Sequence, residues 1–211
     1  MSHVVLLGDS IFDNAAYTSG GLDVVTQLRQ LLPESWGVSL LAVDGHRTED
    51  VVRQVARLPN EATHLVLSVG GNDALSHISI LDQPAVSSSQ VLGLLAEVRN
   101  DFEQRYRKLI TALAQRELPL VICTIYNGNF PDPRFQRLAS TALSVFNDVI
   151  LRIAFECGLT VIDLRLICDH PADYANSIEP SSRGGAKIAR AVAGAVGAAE
   201  LARASSRIVV D

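Results

Sequence analysis

Short apolar runs alternate with longer amphipathic stretches along the chain. The runs 3–7, 37–43, 64–69, 118–125 and 159–164 are rich in Val, Ile and Leu, and each is followed by turn residues. Near-continuous apolar character suits a strand buried on both faces, so five parallel strands covered by helices are predicted. Helices are predicted between them at about 21–32, 49–56, 88–115, 133–157 and 182–199, the third with a possible break near Gly93 or Asn100. Phe102, Tyr106, Leu109 and Leu113 recur at three- and four-residue intervals, the stripe of a helix packed on a sheet. Segment 76–89 reads as a surface excursion, and with no repeat or linker the expectation is one domain over 1–211.

In an open α/β sheet the ligand site lies beyond the carboxyl ends of the strands. The residues there are Gly8-Asp9-Ser10, Asp44-Gly45-His46, Gly70-Gly71-Asn72-Asp73, Tyr126-Asn127-Gly128 and the stretch 169–180. Most polar candidates therefore fall on one edge. A serine in such a turn can present its hydroxyl to a ligand while its own N–H faces an oxyanion. Gly45 lets a backbone N–H approach closely, and the Asn72 amide is a third donor. Taken singly these residues are equally at home as an N-cap, a turn glycine and a loop amide.

Composition narrows the partners. The 211 residues are 48% hydrophobic with a net charge of −5, enough for one core and without a basic stripe for nucleic acid. Cys123, Cys157 and Cys168 lack CxxC spacing and are expected to be reduced, buried thiols. No His or carboxylate set has metal-ligand spacing, and no cofactor is called for. Met1 leads directly into an apolar run without a basic leader, and no uncharged apolar stretch reaches the roughly 18 residues of a membrane span. A soluble, cytoplasmic protein is the expectation. The tail 203–211 reads as an edge strand, a packed extension or a dimer contact.

Gly8-Asp9-Ser10, Gly45 and Gly70-Gly71-Asn72-Asp73, in this order and each after a strand, resemble the first three motif blocks of the SGNH (GDSL-type) hydrolase superfamily. The resemblance implies a flavodoxin-like three-layer α/β/α sandwich with a five-stranded parallel sheet, and hydrolysis of esters, thioesters or acetylated sugars. It makes Ser10 the nucleophile and assigns the oxyanion hole to the N–H groups of Ser10 and Gly45 and to the Asn72 side chain.

The family's fourth block, Asp-x-x-His-Pro, is altered. Here the stretch reads Asn176-Ser177-Ile178-Glu179-Pro180, followed by Ser181, Ser182, Gly184 and Gly185, so that Glu179 stands at the histidine's place and Asn176 at the aspartate's. A carboxylate near pKa 4.3 is a weaker base than an imidazole near 6.5 unless burial raises it. An Asn beside it can donate a hydrogen bond where an Asp would repel. His3 and His64 begin strands on the far edge, whereas His46, His77 and His170 lie nearer the cleft. His46, Asp9, Asp13, Asp73 and Tyr126 are candidate substrate contacts, with Asn14, Tyr17, Asn127 and Asn129 as further rim residues and Asp173 an alternative acid. Two functions stay open: an esterase acting on a small ester or acetylated substrate through Ser10 and Glu179, and a non-catalytic relative that binds an acyl or carbohydrate ligand.

Overall fold

The computed structural model describes residues 2–197. Strands β1 (His3–Gly8), β2 (Gly37–Leu40), β3 (His64–Ser68), β4 (Leu120–Cys123) and β5 (Thr160–Ile162) form one parallel sheet in the order β2-β1-β3-β4-β5. That order is the flavodoxin-like one. Alternate residues of the strands serve opposite layers. Val4 and Leu6 of β1 pack with helices α1 (Val24–Leu31) and α7 (Ser182–Ala195), through Val24, Leu28, Ile188 and Val192. Val5 and Leu7 face α2 (Thr48–Val55), α4 (Ser88–Ala114) and α5 (Pro133–Glu156), where Val51, Phe102, Leu109 and Ile150 complete the second core. The short α3 (Gly71–Leu75) and α6 (Leu164–Ile167) follow β3 and β5.

The five strands and the five long helices match the sequence reading in kind and differ at their ends, and the short α3 and α6 add to it. The strand predicted over 37–43 stops at Leu40 because the N–H groups of Leu41 and Ala42 share the Leu6 carbonyl, which breaks the even parallel ladder. β5 is three residues long, since Asp163 accepts the Arg165 N–H and starts a helical turn. α1 begins at Val24 and not at 21, capped by Asp23 on the Thr26 N–H. α4 runs unbroken through Gly93 and Asn100. Segment 76–89 contains a 3₁₀ turn over Ile78–Asp82, and α7 ends at Ala195, leaving 198–199 and the tail 203–211 outside the described residues.

One further reading changes. Cys157, at the end of α5, is exposed, whereas Cys123 and Cys168 are buried. Helix α5 is by length and composition apolar enough to cross a membrane. In the fold it buries Phe146, Val149, Ile150 and Ile153 on one face and exposes Arg134, Arg137, Asp148 and Arg152 on the other.

The loop between β5 and α7 is set by close packing. A Cβ on Gly184 would lie 2.1 Å from the Asp173 carbonyl oxygen, while Gly93 has open space around it. Gly184→Ala should therefore cost about 2 kcal/mol or more, because backbone must move. Gly93→Ala, in a helix interior, should stabilise by roughly 0.5–1 kcal/mol. Urea unfolding of the two variants checks both signs.

Candidate active site

The turn after β1 presents Ser10. Gly8 has φ +127°, and a Cβ there would lie 1.7 Å from the Ser68 carbonyl oxygen, so only glycine lets β1 pass this close to β3. The Gly8 peptide is clamped by Gln54 of α2, whose Oε1 accepts the Gly8 N–H at 2.8 Å while Nε2 donates to the Gly8 carbonyl at 2.8 Å. Asn147 of α5 holds Ile125, just past β4, in the same two-bond manner. The Asp9 carbonyl accepts the N–H groups of Phe12 and Asp13, and Asp9 Oδ1 accepts that of Ile11. The Ser10 N–H, between them, donates to no group among the described residues.

The turns after β2 and β3 meet beside it. Gly45 adopts φ +78°, and its N–H also has no acceptor among the described residues. Asn72 donates from Nδ2 to the His46 carbonyl at 3.0 Å, which ties the two turns together and leaves its second amide hydrogen available. The three donors expected of an oxyanion hole thus follow β1, β2 and β3, with Ser10 and Asn72 among the lining residues of one cavity and Gly45 not among them.

Three expected substrate contacts have other work. Asp13 accepts the Asp44 N–H at 2.9 Å, and Tyr17 donates to Asp44 Oδ2 at 2.6 Å. Asp73 is 3% exposed and takes both the N–H and the hydroxyl of Thr48, each at 2.9 Å, at the start of α2. His46 meets Gln54 Nε2 through Nδ1 at 2.9 Å. None of the three lines the cavity beside Ser10, whereas Asp9 and Tyr126 do.

Glu179 arrives on a tight turn. Tyr174 bridges Pro180 in antiparallel fashion, and the Glu179 carbonyl accepts the Ala175 N–H at 2.8 Å. Inside this turn Asn176 Oδ1 accepts the N–H groups of both Ile178 and Glu179 at 2.9 Å. The expected bond from the Asn176 amide to the Glu179 carboxylate is replaced by this backbone cap, because the side-chain oxygen of an Asx turn points inward. The turn is docked from two sides: Asn14 donates to the Pro180 carbonyl at 3.1 Å and accepts the Val24 N–H at 2.9 Å, and the Tyr126 hydroxyl donates to the Ile178 carbonyl. Asp173, considered as an alternative acid, is instead taken by Lys187 Nζ at 2.6 Å and the His170 N–H at 3.0 Å. His170 is exposed and caps the 3₁₀ turn over Pro171–Asp173.

The result is a serine and a carboxyl side by side. Ser10 and Glu179 are each 7% exposed. Burial raises the Glu179 carboxyl above the ordinary carboxylate value, and the hydrogen-bonding influence of the Ser10 hydroxyl acts in the opposite direction. Glu179 Oε2 has no hydrogen-bond partner among the described residues. Burial pushes Asp9 up to about 8, with Glu179, Asp73 and Asp44 adding to the rise.

Ser10 opens onto a cavity of about 120 Å³ between α3, α4 and α5. Ile80, Leu95, Val98, Leu143 and Phe146 give it hydrocarbon walls, and its polar side chains are Asp9, Ser10, Ser68, Asn72, His77 and Asn127, with the Tyr126 ring alongside. The clamping amides Gln54, Asn147 and Asn14 were not identified from sequence as parts of this framework. Gln54 carried a signal, since it falls on the buried face of α2 with Thr48, Val51 and Val55.

Solved structures with the same fold include an extracellular lipase from Streptomyces rimosus, with TM-score 0.67, 18% identity and coverage of 92% of this chain and 100% of that one. A lipase from a goat rumen metagenome gives TM-score 0.71 at 18% identity, covering 95% and 99%. An acetylxylan esterase from Geobacillus stearothermophilus gives 0.61 at 19%, covering 93% and 94%. No curated protein sequence matches the chain. The GDSL-like lipase/acylhydrolase family matches residues 6–187, a span that takes in the Ser10 turn, both donor turns and the Glu179 turn. The chain belongs to the GDSL-like lipase/acylhydrolase family.

Proposed function

We propose that this protein is a serine ester hydrolase in which Glu179 is the base and the acyl group of the substrate occupies the apolar cavity. The observation that carries the reading is the Ser10 hydroxyl in the wall of that cavity, with the buried Glu179 carboxyl near enough to feel its hydrogen-bonding influence. Ser10 Oγ attacks the acyl carbonyl while its proton passes to Glu179. The carbonyl oxygen becomes an oxyanion facing the Ser10 and Gly45 N–H groups and the Asn72 amide. Each such donor contributes about 3 kcal/mol to transition-state stabilisation. Collapse of the tetrahedral intermediate breaks the ester bond, and the proton on Glu179 goes to the departing alkoxide. A water molecule then attacks the acyl-serine, gives its proton to Glu179, and releases the acid as Ser10 Oγ takes that proton back.

Burial makes this base workable. A carboxylate of ordinary pKa is poorly matched to a hydroxyl proton, and raising it narrows the gap. Glu179 must be ionised to act, so the rate should rise with pH through a pKa above the ordinary value. The cavity supports a short hydrocarbon acyl group, since about 150 Å³ of apolar cavity accommodates benzene. It offers less support to a carbohydrate in the acyl position, because the polar rim residues Asp13, Asn14 and Tyr17 already bond within the protein. The altered base is the feature that favours a second reading, a non-catalytic protein binding an acyl ligand in the same cavity.

Hydrolysis of p-nitrophenyl esters separates the two. Ser10→Ala and Glu179→Gln are each expected to lower kcat/KM at neutral pH by at least about a thousandfold. A wild type no faster than Ser10→Ala on esters from acetyl to decanoyl would establish the binding reading. Chain length tests the cavity: each buried methylene contributes about 0.8 kcal/mol, so butyryl should exceed acetyl by roughly tenfold in kcat/KM. Ala142 lies in the cavity wall, and Ala142→Phe should remove the butyryl advantage while sparing the acetyl ester. Equal losses on both esters would argue against acyl binding there.

A further inference from the structure

Asp9 differs from the buried aspartates Asp73 and Asp173 in having almost nothing to balance a charge. It is 3% exposed and lines the apolar cavity, and its one hydrogen bond is from the Ile11 N–H at 3.1 Å. Buried carboxylates normally require a cation or several donors. Asp73, by contrast, has two donors from Thr48 and Arg105 at 3.8 Å, and Asp173 has Lys187. The titratable groups that face Asp9 come from every side. They are Glu179 on the turn before α7, Asp73 on α3, Asp44 after β2, Cys123 on β4 and Tyr126 just beyond it. None of these carries positive charge, and His77 is the one basic side chain among the lining residues of the cavity that Asp9 shares.

We propose that Asp9 works as an uncharged carboxylic acid, whose proton keeps the wall beside Ser10 free of negative charge while Glu179 alone acts as the anionic base. This rests on the hydrolase reading above. An ionised Asp9 would stand next to the forming oxyanion and oppose the negative charge that Asn72 and the two N–H groups are placed to receive. It would also repel Glu179 and make ionisation of both carboxyls unfavourable. Neutral Asp9 removes both penalties, so it is a charge-setting residue that acts through the oxyanion and through Glu179. The elevation to about 8 places its ionisation on the alkaline side of neutrality.

The sign of the stability effect follows. The folded value of about 8 lies above the ordinary 3.8, so the folded protein holds a proton that the unfolded chain releases across that window. The stabilising contribution is complete below about pH 4 and is lost as pH rises through about 8. Asparagine has nearly the shape of the protonated acid and does not ionise. The test is thermal unfolding and ester hydrolysis of wild type and Asp9→Asn across this range.

The Tm of Asp9→Asn is expected to gain steadily on that of wild type as pH rises. Wild-type kcat/KM should fall about tenfold per pH unit above the Asp9 titration, a limb absent from Asp9→Asn. Tm curves that stay parallel would overturn the proposal, as would an alkaline limb unchanged in the variant. If wild type hydrolyses no ester, the hydrolase reading fails and the catalytic part of this proposal fails with it, while the Tm comparison still decides the protonation of Asp9. Should Asp9→Asn not fold, carbonyl-¹³C titration of wild type labelled at aspartate decides the same point. One aspartate titrating several pH units above the rest supports the neutral acid, and all titrating in the ordinary range refutes it.

Discussion

The site depends on one buried asparagine more than on any group that does chemistry. Asn14 follows the Ser10 turn by four residues, is fully buried, and donates to the Pro180 carbonyl while accepting the Val24 N–H. These bonds join the serine turn, the start of α1 and the Glu179 turn, bridging 166 residues of sequence. A buried amide so placed has few alternatives, because losing either bond strands a polar group in an apolar layer at a cost of about 1–3 kcal/mol. The Tyr126 hydroxyl on the Ile178 carbonyl fixes the other side of the turn. The proximity of Ser10 and Glu179 is therefore a property of backbone anchored on both flanks, and not of two flexible side chains finding one another.

That rigidity gives the glutamate its meaning. A carboxyl free to swing into water would keep an ordinary pKa and be a poor partner for a hydroxyl. Held at 7% exposure, Glu179 is raised, and Oε2 is left without a protein partner, which keeps a lone pair open for a proton. Asn176 contributes by holding the peptide N–H groups of the turn and has no bond to the carboxylate. In this arrangement the position of the carboxyl is set by burial and backbone geometry, without a second side chain to orient it.

The layering was legible because a parallel sheet with two covered faces requires near-continuous apolar strands, and the chain shows them. The strand ends were not, since they depend on carbonyl sharing such as that at Leu6. α3 was missed because five residues are too few to establish a helical period. Within the site, Ser10, Gly45, Asn72 and Glu179 could be named because the ends of successive parallel strands fall on one edge. Asn14 gains its role from a contact 166 residues away, which no local pattern encodes, and the helical period marks Gln54 as buried without naming its partner 46 residues away. The partners of Asp13 and Asp73 were hidden for a related reason. An acidic residue near a serine resembles a ligand contact, yet these two satisfy the bare N–H groups of Asp44 and Thr48.

The central claim, that Glu179 activates Ser10, is tested most directly by the rate at which a fluorophosphonate labels Ser10, followed by intact mass across pH. The expected result is labelling at Ser10 alone, with a rate that rises as Glu179 ionises and collapses in Glu179→Gln. Labelling equally fast in Glu179→Gln, or none in the wild type at any pH, would contradict it.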